Sequence, residues 1–340
     1  MRILLISNMW PGARKPHFGI FVRQRVDAYR AGGADVVVVA NSDPRHGLWA
    51  LWKYTVLLGR VLATAARRRP DVIEAHYLVP TALFGWIAGK LTHRPYALYA
   101  HGSDVDGRLP ALDFVVDRAA LILTNADATA RKLEERFSSL PGIRVVPPGV
   151  DLSRFAQVQR AESEYPTVGF LGDLVQHKGV DVLLDAVAAM SPQPRLLVGG
   201  DGPERAALHR RAAERGVDAQ WLGAVRPDQV PSFFSHIDVA AVPSRRDALG
   251  VVAVEALAAG VPVVVSRVGG LAGVPTPDCG VAVPPDDPEA LRTSLRAWLD
   301  TRGDPQVIAA ARRRAADFDA HVLASKAIGI LTEIAGTRAR

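Results

Sequence analysis

Two acidic residues, Asp247 and Glu255, lie eight positions apart in a mostly apolar stretch. Asp247 lies just before a predicted helix, beside Gly250, and Glu255 is the only charged residue in the segment VVAVEALAAG. The start of a helix offers free N–H groups and the positive end of a dipole, and both favour anions. Glu255 lies about 9 Å further along the helix axis, at 1.5 Å per residue. The spacing therefore suits a ligand with an anionic centre and hydroxyl groups on either side.

Two interpretations of these acids stay open from this helix alone. In the structural interpretation, Asp247 caps the helix and Glu255 has a partner inside the protein, because an unpaired buried charge is costly. In the functional interpretation, a nucleotide-sugar sets its diphosphate at the helix start. Glu255 then reaches the ribose hydroxyls, and Asp247 reaches the sugar.

The elements around these acids form a predicted βαβ unit. An apolar run over residues 237–242 predicts a buried strand, and a second strand is predicted over 263–266. Between them, the pattern predicts a helix from about Leu249 to Ala259, ended by Gly260. Ligands of open α/β sheets bind at the carboxyl ends of the strands, which is where Asp247 would lie.

Three other loops follow predicted strands in the same half of the chain. The first is GDLVQHKG over residues 172–179, in which Lys178 is either a phosphate ligand or a surface lysine. The second, GGDGPE, contains Gly202 and predicts a glycine turn rather than a dinucleotide fingerprint. In the third loop, backbone groups near Val225 and Arg226 are candidates for contacting a base edge.

The first half of the chain contributes a histidine and a loop. His101 directly follows a predicted strand over 96–100 and precedes Gly102. A lone histidine is more often structural than catalytic, but its place at a strand's carboxyl end makes it a better candidate than most. The loop after the first strand is rich in glycine, proline and polar groups, and it includes Trp10, Gly12, Lys15, His17 and Gly19.

Strands alternate with helices in both halves, which predicts two doubly wound parallel sheets. The segment PPGVD at 147–151 interrupts the alternation and predicts a hinge. We predict one domain over residues 1–150 and a second over 151–316. Residues 317–340 are predicted to form a C-terminal helix that packs back on the first domain.

Composition narrows the class of protein. The 340 residues are 49% hydrophobic and 22% charged, as in globular soluble proteins. No apolar run reaches the roughly 18 residues of a spanning helix, and the first residues predict a strand rather than a signal peptide. The single cysteine, Cys279, excludes an intrachain disulfide and fits a reducing compartment. Neither CxxC nor HExxH occurs, so we predict no metal site.

The net charge of +6 is unevenly distributed. Residues 1–150 carry 20 lysines and arginines against 12 acids, a net charge of +8, and the remainder is −2. Leu48 to Arg69 predicts one long helix with two tryptophans and a basic end. This helix is either a packing element or a surface for an anionic membrane. No motif for nucleic-acid recognition is present.

With these motifs in place, the chain resembles retaining glycosyltransferases of family 4. The resemblance implies the GT-B fold, an α/β architecture of two facing Rossmann-like, doubly wound parallel-sheet domains with a cleft between them. The N-terminal pattern most resembles enzymes that build bacterial envelope polysaccharides. The segments that carry the resemblance span nearly the whole chain in the family's order: WPGARKPHFGIFVRQ, HGSD, VPPGVD, GDLVQHKG, GGDGPE and PSRRDALGVVAVEALAAGVPVV.

The resemblance implies a reaction and a site. The donor would be a nucleoside-diphosphate sugar, UDP favoured over GDP, and the acceptor a glycan, a lipid-linked or a small molecule. No cofactor or metal ion would be needed. The implied catalytic residues are His101, Lys178, Asp247 and Glu255. The implied donor-binding residues are Gly172, Asp173, Lys178, Gly202, Val225, Arg226, Asp247, Ala248, Leu249, Gly250, Val251 and Glu255. The implied acceptor-side residues are Trp10, Gly12, Lys15, His17, Gly19 and His101.

Two positions depart from the family's pattern. Asp247 is one methylene shorter than the usual glutamate. Asp173 stands where an arginine usually precedes the leucine of the lysine loop, and an acid near a diphosphate is unfavourable. We expect Asp173 to point away or to contact sugar hydroxyls, with Arg226, Arg245 or Arg246 compensating its charge.

Two rival functions stay open. One is a donor-binding protein with weak or no catalysis that acts with a partner, which the two departures motivate. The other is a nucleotide-sugar epimerase of the same architecture, because a fold does not determine chemistry. The expected location is cytoplasmic, and no nucleic-acid partner is expected. A peripheral position at the inner face of the cytoplasmic membrane is a separate hypothesis that rests on the basic first half.

Overall fold

The computed structural model of the protein describes residues 1–12, 18–42, 48–107, 112–161 and 164–336. For residues 48–51, the backbone alone is described. The chain divides into two compact units, residues 150–319 and residues 1–149 together with 320–340. The corresponding boundaries predicted from the sequence are 150/151 and 316/317.

The first unit is built on a six-stranded parallel sheet. Its first strand, β1 (Arg2–Ser7), lies between β2 (Asp35–Ala40) and β3 (Val72–His76), and the later strands β4, β5 and β6 follow β3 in chain order. The order of the strands therefore changes sense between β1 and β3, while all strands stay parallel. The strands read as nearly continuous apolar runs because helices cover both faces of a parallel sheet. Elements of this unit are β1 (Arg2–Ser7), α1 (Ile20–Ala31), β2 (Asp35–Ala40), α2 (Leu48–Arg68), β3 (Val72–His76), α3 (Thr81–Thr92), β4 (Tyr96–Ala100), α4 (Leu112–Asp117), β5 (Leu121–Thr124), α5 (Asp127–Arg136) and β6 (Ile143–Val145).

The second unit contains another six-stranded parallel sheet, with the order β12-β11-β10-β7-β8-β9. Here the strand order reverses between β7 and β10. Elements of this unit are β7 (Thr167–Leu171), α6 (Val180–Ala188), β8 (Arg195–Gly199), α7 (Arg205–Arg215), β9 (Ala219–Gly223), α8 (Val230–Ser235), β10 (Val239–Val242), α9 (Val251–Ala258), β11 (Val263–Ser266), β12 (Gly280–Val283), α10 (Pro288–Leu299) and α11 (Pro305–Ala316).

The last helix, α12 (Ala320–Gly336), belongs to the first unit. Its buried residues Leu323, Ala327 and Leu331 join the core that contains Val22 and Val26 of α1. Gly149 lies so close to this helix that an added Cβ would come within 2.3 Å of Cα of Ala320.

The predicted pair of doubly wound parallel sheets is confirmed. Two short elements were not predicted, the four-residue strand β12 and the six-residue helix α4. Helix α4 is too short to show a helical period. The segment β12 is a strand because it pairs in parallel with β11, although its two central residues are only half-buried. Among the described residues, no helix combines the length and the apolar character that crossing a membrane requires.

Candidate active site

The second unit brings Lys178 and Asp247 together at the point where its strand order reverses. Lys178 lies in the loop after β7, and Asp247 lies in the loop after β10. Nζ of Lys178 donates a hydrogen bond to Oδ2 of Asp247 over 2.7 Å. The side chains are only 24% and 11% exposed. In open α/β sheets this switch point is where ligands bind, so the contact lies where the fold favours a site.

The start of α9 is shaped by Gly250. Its φ of +73° is left-handed, and an added Cβ would come within 2.3 Å of Cδ1 of the buried Leu271. The N–H of Gly250 donates to Oδ1 of Asp247 over 2.7 Å. The predicted helix began at about Leu249, but this turn delays it to Val251. Asp247 therefore caps the turn before the helix while its other oxygen holds Lys178.

A neighbouring loop supports the backbone between Asp247 and Gly250. Ala248 is exposed and Leu249 is buried. The N–H of Gly270 donates to the carbonyl of Ala248 over 2.9 Å. Gly269 has a φ of +48°, and an added Cβ would lie 2.2 Å from the carbonyl oxygen of Asp247. Only a glycine allows this close approach, which fixes the backbone around Asp247 against the loop that contains Gly269.

Glu255 has a protein partner that the sequence analysis did not identify. Nη1 of Arg154 lies 3.5 Å from Oε1 of Glu255, whose side chain is 14% exposed. Burial raises the pKa of Glu255 to about 7, and Arg154 opposes that rise. Arg154 is held in turn by the carbonyl oxygen of Pro227. Glu255 thus has the protein partner that the structural interpretation requires, whereas Asp247 caps the turn before the helix rather than the helix itself.

The loops after β7, β8 and β9 are joined to one another through their backbones. The N–H of Gly172 donates to Gly199 over 3.0 Å, and that of Gly200 donates to Gly223 over 2.7 Å. An added Cβ on Gly202 would lie 2.4 Å from the carbonyl oxygen of Leu174. These contacts bring the loop that contains Gly172 and the loop that contains Gly202 together.

Of the three arginines expected to compensate the charge of Asp173, two have other acidic partners. Arg245 is fully engaged, because it pairs with Asp181 over 2.7 Å and with Asp286 over 2.6 Å. Arg226 is exposed and forms two 3.1 Å bonds with Asp228. Within the ranges described above, Arg246 is exposed and has no side-chain partner.

The remaining predicted donor residues differ in exposure. Asp173 is exposed, and Val225 and Val251 are half-buried. Val225 packs against the end of β8, where its Cγ2 would meet a Cβ added to Gly199 at 2.9 Å. The exposure of Asp173 is compatible with the expectation that it points away.

His101 belongs to the first unit and is half-buried after β4. The main-chain N–H of His101 donates to Oδ1 of Asp104 over 2.9 Å, and Nδ2 of Asn125 donates to the main-chain carbonyl of His101 over 3.2 Å. Its ring stacks on Tyr77 at 4.3 Å between centroids. Burial, together with His76 and Arg25, holds the pKa of His101 well below its usual value. The imidazole is therefore neutral near pH 7.

The acceptor-side loop is partly described. Trp10 is half-buried against the core of the first unit. An added Cβ on Gly12 would lie 3.1 Å from Cβ of Ser42. Gly19 has a φ of +74° and precedes α1. Lys15 and His17 lie outside the described residues.

Four polar residues near the candidates were not predicted. His76 contacts His101 and Arg154 contacts Glu255, while Glu74 contacts His76 and Arg25 contacts Glu74. One signal was available, because Glu74 and His76 interrupt the strand VIEAH, which is otherwise apolar. No group of three histidine, cysteine or acidic residues suited to a metal ion occurs in the part of the chain that the structure describes.

Two family models match consecutive parts of this chain. Residues 10–154 match the model of glycosyltransferase family 4, and residues 153–315 match that of group 1 glycosyl transferases. The class of protein is thus a glycosyltransferase.

Similar proteins agree with these matches. The putative teichuronic acid biosynthesis glycosyltransferase TuaC of Bacillus subtilis is 26% identical over 88% of this chain and 89% of its own length. A D-inositol 3-phosphate glycosyltransferase of Jonesia denitrificans is 31% identical over 76% and 71%, respectively. Structures of Anabaena HepE with UDP and with UDP-glucose cover 98% of this chain and 100% of theirs. Their TM-scores are 0.79 and 0.77, at 21% and 20% identity. The chain belongs to glycosyltransferase family 4 and has the GT-B fold.

Proposed function

We propose that this glycosyltransferase transfers a sugar from a UDP-sugar with retention of the anomeric configuration and without a metal ion or cofactor. The observation that carries the proposal is the 2.7 Å contact between Lys178 and Asp247 before α9. It joins a cation suited to phosphate and a carboxylate suited to sugar hydroxyls near the positive end of a helix. A donor needs such groups side by side, because its diphosphate and its sugar are adjacent.

The diphosphate binds at the start of α9 in this proposal. The N–H groups of Val251 and Val252 are in the first turn, where a helix offers no internal acceptor. Lys178 and Asp247 cancel each other's charge, so the helix dipole and the exposed Arg246 supply the remaining positive potential. These groups stabilise the departing diphosphate as an oxocarbenium-like centre forms on the sugar.

The sugar and the ribose bind to the two acids. Asp247 accepts hydrogen bonds from the transferred sugar while it continues to hold Lys178. Glu255 accepts hydrogen bonds from the ribose hydroxyls, and Arg154 offsets part of the cost of ionising this buried carboxyl group. His101 orients the sugar or the acceptor, because its imidazole is neutral and is not a strong base.

The base binds at the ends of β7, β8 and β9. The joined backbones of the loops containing Gly172 and Gly202 form a firm support for it, next to Val225 and Arg226. HepE, which has the same fold, was crystallised with UDP and with UDP-glucose, and this supports uracil over guanine.

The proposed acceptor is a glycan or lipid-linked intermediate of an envelope polysaccharide. The name of TuaC, which refers to teichuronic acid biosynthesis, supports this class. A small-molecule acceptor is the alternative, supported by the name of the D-inositol 3-phosphate glycosyltransferase. Acceptors of both kinds therefore belong in the test.

We also propose that the first unit binds the inner face of an anionic membrane through α2. Trp52 is 65% exposed and Val56 is 40% exposed on this helix. Arg67 and Arg68 are exposed in its last turn. Exposed apolar groups combined with a basic end favour an anionic interface. Cosedimentation with phosphatidylglycerol vesicles should be strong at low salt and weak at high salt, whereas absence of binding at every salt concentration would refute this part.

The central test is turnover with a panel of UDP- and GDP-sugars and acceptors of the three classes, in the presence of a chelator. The product's anomeric configuration is then determined by NMR. We expect the wild type to transfer a sugar from a UDP-sugar with retention. Asp247→Asn should lose this transfer, whereas Arg292→Ala should retain it. Arg292 is a suitable control because its ion pair with Glu289 is on the surface of α10.

Other outcomes would identify the rivals. An inverted anomer would exclude the retaining mechanism, and dependence on a divalent cation would exclude metal independence. Donor binding without transfer, unchanged in Asp247→Glu or Asp173→Arg, would indicate a donor-binding partner protein. Isomerisation of the donor without acceptor would indicate an epimerase.

A further inference from the structure

A chain of buried polar side chains leads from Arg25 on α1 to His101. Nε of Arg25 lies 3.2 Å from Oε1 of Glu74, and the two side chains are 8% and 0% exposed. The same carboxylate oxygen lies 3.4 Å from Nε2 of His76, which is 1% exposed. Nδ1 of His76 lies 3.1 Å from Nε2 of His101. Four titratable groups are thus connected in sequence inside the first unit.

The contacts of Glu74 with Arg25 and Tyr29 determine its charge. The hydroxyl of Tyr29 accepts a hydrogen bond from Arg25 over 2.7 Å and donates one to Glu74 over 3.2 Å. Burial acts to raise the pKa of Glu74, but Arg25, His76 and Tyr29 outweigh burial, and the pKa lies below its usual value. Glu74 is therefore an ionised carboxylate, which only accepts hydrogen bonds.

An ionised Glu74 determines the protonation of both imidazoles. Nε2 of His76 lies 3.4 Å from the carboxylate and has no hydrogen-bond partner in the described ranges, so the negative charge of Glu74 favours a proton on this nitrogen. Burial lowers the pKa of His76, so the ring is neutral and its Nδ1 is an acceptor. Nε2 of His101 must then donate to that Nδ1 across 3.1 Å. A neutral His101 with a protonated Nε2 has its lone pair on Nδ1.

Packing prevents the two imidazole rings from rotating and so exchanging the positions of Nδ1 and Nε2. The ring of His76 stacks on Tyr99 at 4.9 Å between centroids and an angle of 13°. The ring of His101 stacks on Tyr77 at 4.3 Å and 24°. Nδ1 of His101 has no hydrogen-bond partner within the described part of the chain, and the residue is half-buried. This nitrogen is therefore available to a ligand.

We propose that Glu74 and His76 are positioning residues that hold His101 in the tautomer with a protonated Nε2 and a free acceptor at Nδ1. The acceptor nitrogen receives a hydrogen bond from a hydroxyl of the sugar or of the acceptor molecule. This role rests on the proposed function, in which His101 orients a substrate. The tautomer itself rests only on the contacts within the first unit.

The first experiment needs no variant and no substrate. Two-bond ¹H–¹⁵N correlation spectra of the ¹⁵N-labelled full chain distinguish a protonated ring nitrogen from a bare one. For both His76 and His101 we expect a neutral ring with the proton on Nε2. A proton on Nδ1 of His101, or a charged His76 near neutral pH, would overturn the proposal.

The second experiment uses Glu74→Gln to move the ring protons of His76 and His101 from Nε2 to Nδ1. The amide group of glutamine can donate to Nε2 of His76, which moves the proton of His76 to Nδ1 and the proton of His101 to Nδ1. We expect turnover to fall by roughly 10- to 100-fold, in the range found for partners that orient a functional histidine. Binding of UDP, measured by thermal stabilisation, should be unchanged, because the proposed UDP site lies in the other unit.

Controls separate this role from simple stabilisation. Glu74→Asp retains the charge and should restore the wild-type tautomer and part of the turnover. If Glu74→Gln does not fold because Arg25 loses its partner, Arg25→Gln combined with Glu74→Gln removes both charges and provides the same comparison. A Glu74→Gln protein with wild-type tautomers, or with reversed tautomers and full turnover, would refute the positioning role. Absence of transfer by the wild type would instead refute the proposed function and leave the tautomer result intact.

Discussion

Burial of Glu255 predicts that this carboxylate, proposed above to bind the ribose, destabilises the protein above neutral pH. Its side chain is 14% exposed, and Arg154 lies 3.5 Å away. Burial raises the pKa of Glu255 from 4.5 to about 7, because Arg154 offsets only part of the desolvation. An acid whose pKa is higher in the folded state binds its proton more tightly there. Its stabilising contribution is complete below the unfolded pKa and is lost as the pH rises through the folded pKa.

The magnitude follows from the difference between the two pKa values. Between 4.5 and about 7 lie roughly 2.5 pH units, and each is worth about 1.4 kcal/mol. Ionising Glu255 in the folded protein therefore costs about 3 kcal/mol once the pH is well above neutral. Glu255→Gln retains the shape of the side chain but has no proton to release. Its stability relative to the wild type should accordingly rise by about 3 kcal/mol from mildly acidic to mildly alkaline pH.

Urea unfolding of both proteins at about pH 4.5 and about pH 8.5 measures this change. Subtracting the wild type from the variant at each pH cancels the titration of every group that the two proteins share. The same variant should bind UDP more weakly, so it is expected to be more stable and less active. If the difference in unfolding free energy were the same at both pH values, the pKa of Glu255 would be ordinary, and this reasoning would be wrong.

Two further predictions concern the start of α9. Lys178→Ala removes the cation 2.7 Å from Asp247 and should lower turnover by roughly 100-fold at saturating donor, and a rate within about threefold of the wild type would contradict its role. Gly250→Ala forces an alanine into a left-handed turn and against Leu271, so it should cost more stability than the roughly 1–2 kcal/mol of backbone strain alone. Gly216→Ala is the matched control for denaturant unfolding, because Gly216 has a φ of +63° and open space where its Cβ would be; equal losses in the two variants would exclude the predicted overlap.

The elements of this fold were predictable from the sequence because parallel strands need long apolar runs. Strands β1 and β11 are covered on both faces, so they are apolar except at their ends and are easily recognised. The glycines at 250 and 260 bracket α9 and indicate where it starts and ends. The start of α9 shifted because a local contact intervened, in which the N–H of Gly250 binds Asp247.

The partners of the candidate residues were not predictable, because they come from distant parts of the chain. Lys178 and Asp247 are 69 positions apart and meet only because β7 and β10 are neighbours in the sheet. Arg154 reaches Glu255 from the segment that opens the second unit. A sequence pattern contains local periodicity but no information about which loops converge.

The sequence by itself therefore determined the two doubly wound sheets, the order of their elements and the residue types at the carboxyl ends of the strands. Apolar periodicity and glycine placement act over a few neighbouring residues, so they are visible in a single chain. Only the tertiary structure decided which charges are paired. It joined Lys178 to Asp247, Arg154 to Glu255 and Glu74 through His76 to His101, and burial raised the pKa of Glu255 and lowered the pKa of His76 and of His101. Those outcomes depend on distances of a few ångströms between segments that only the completed sheets bring together.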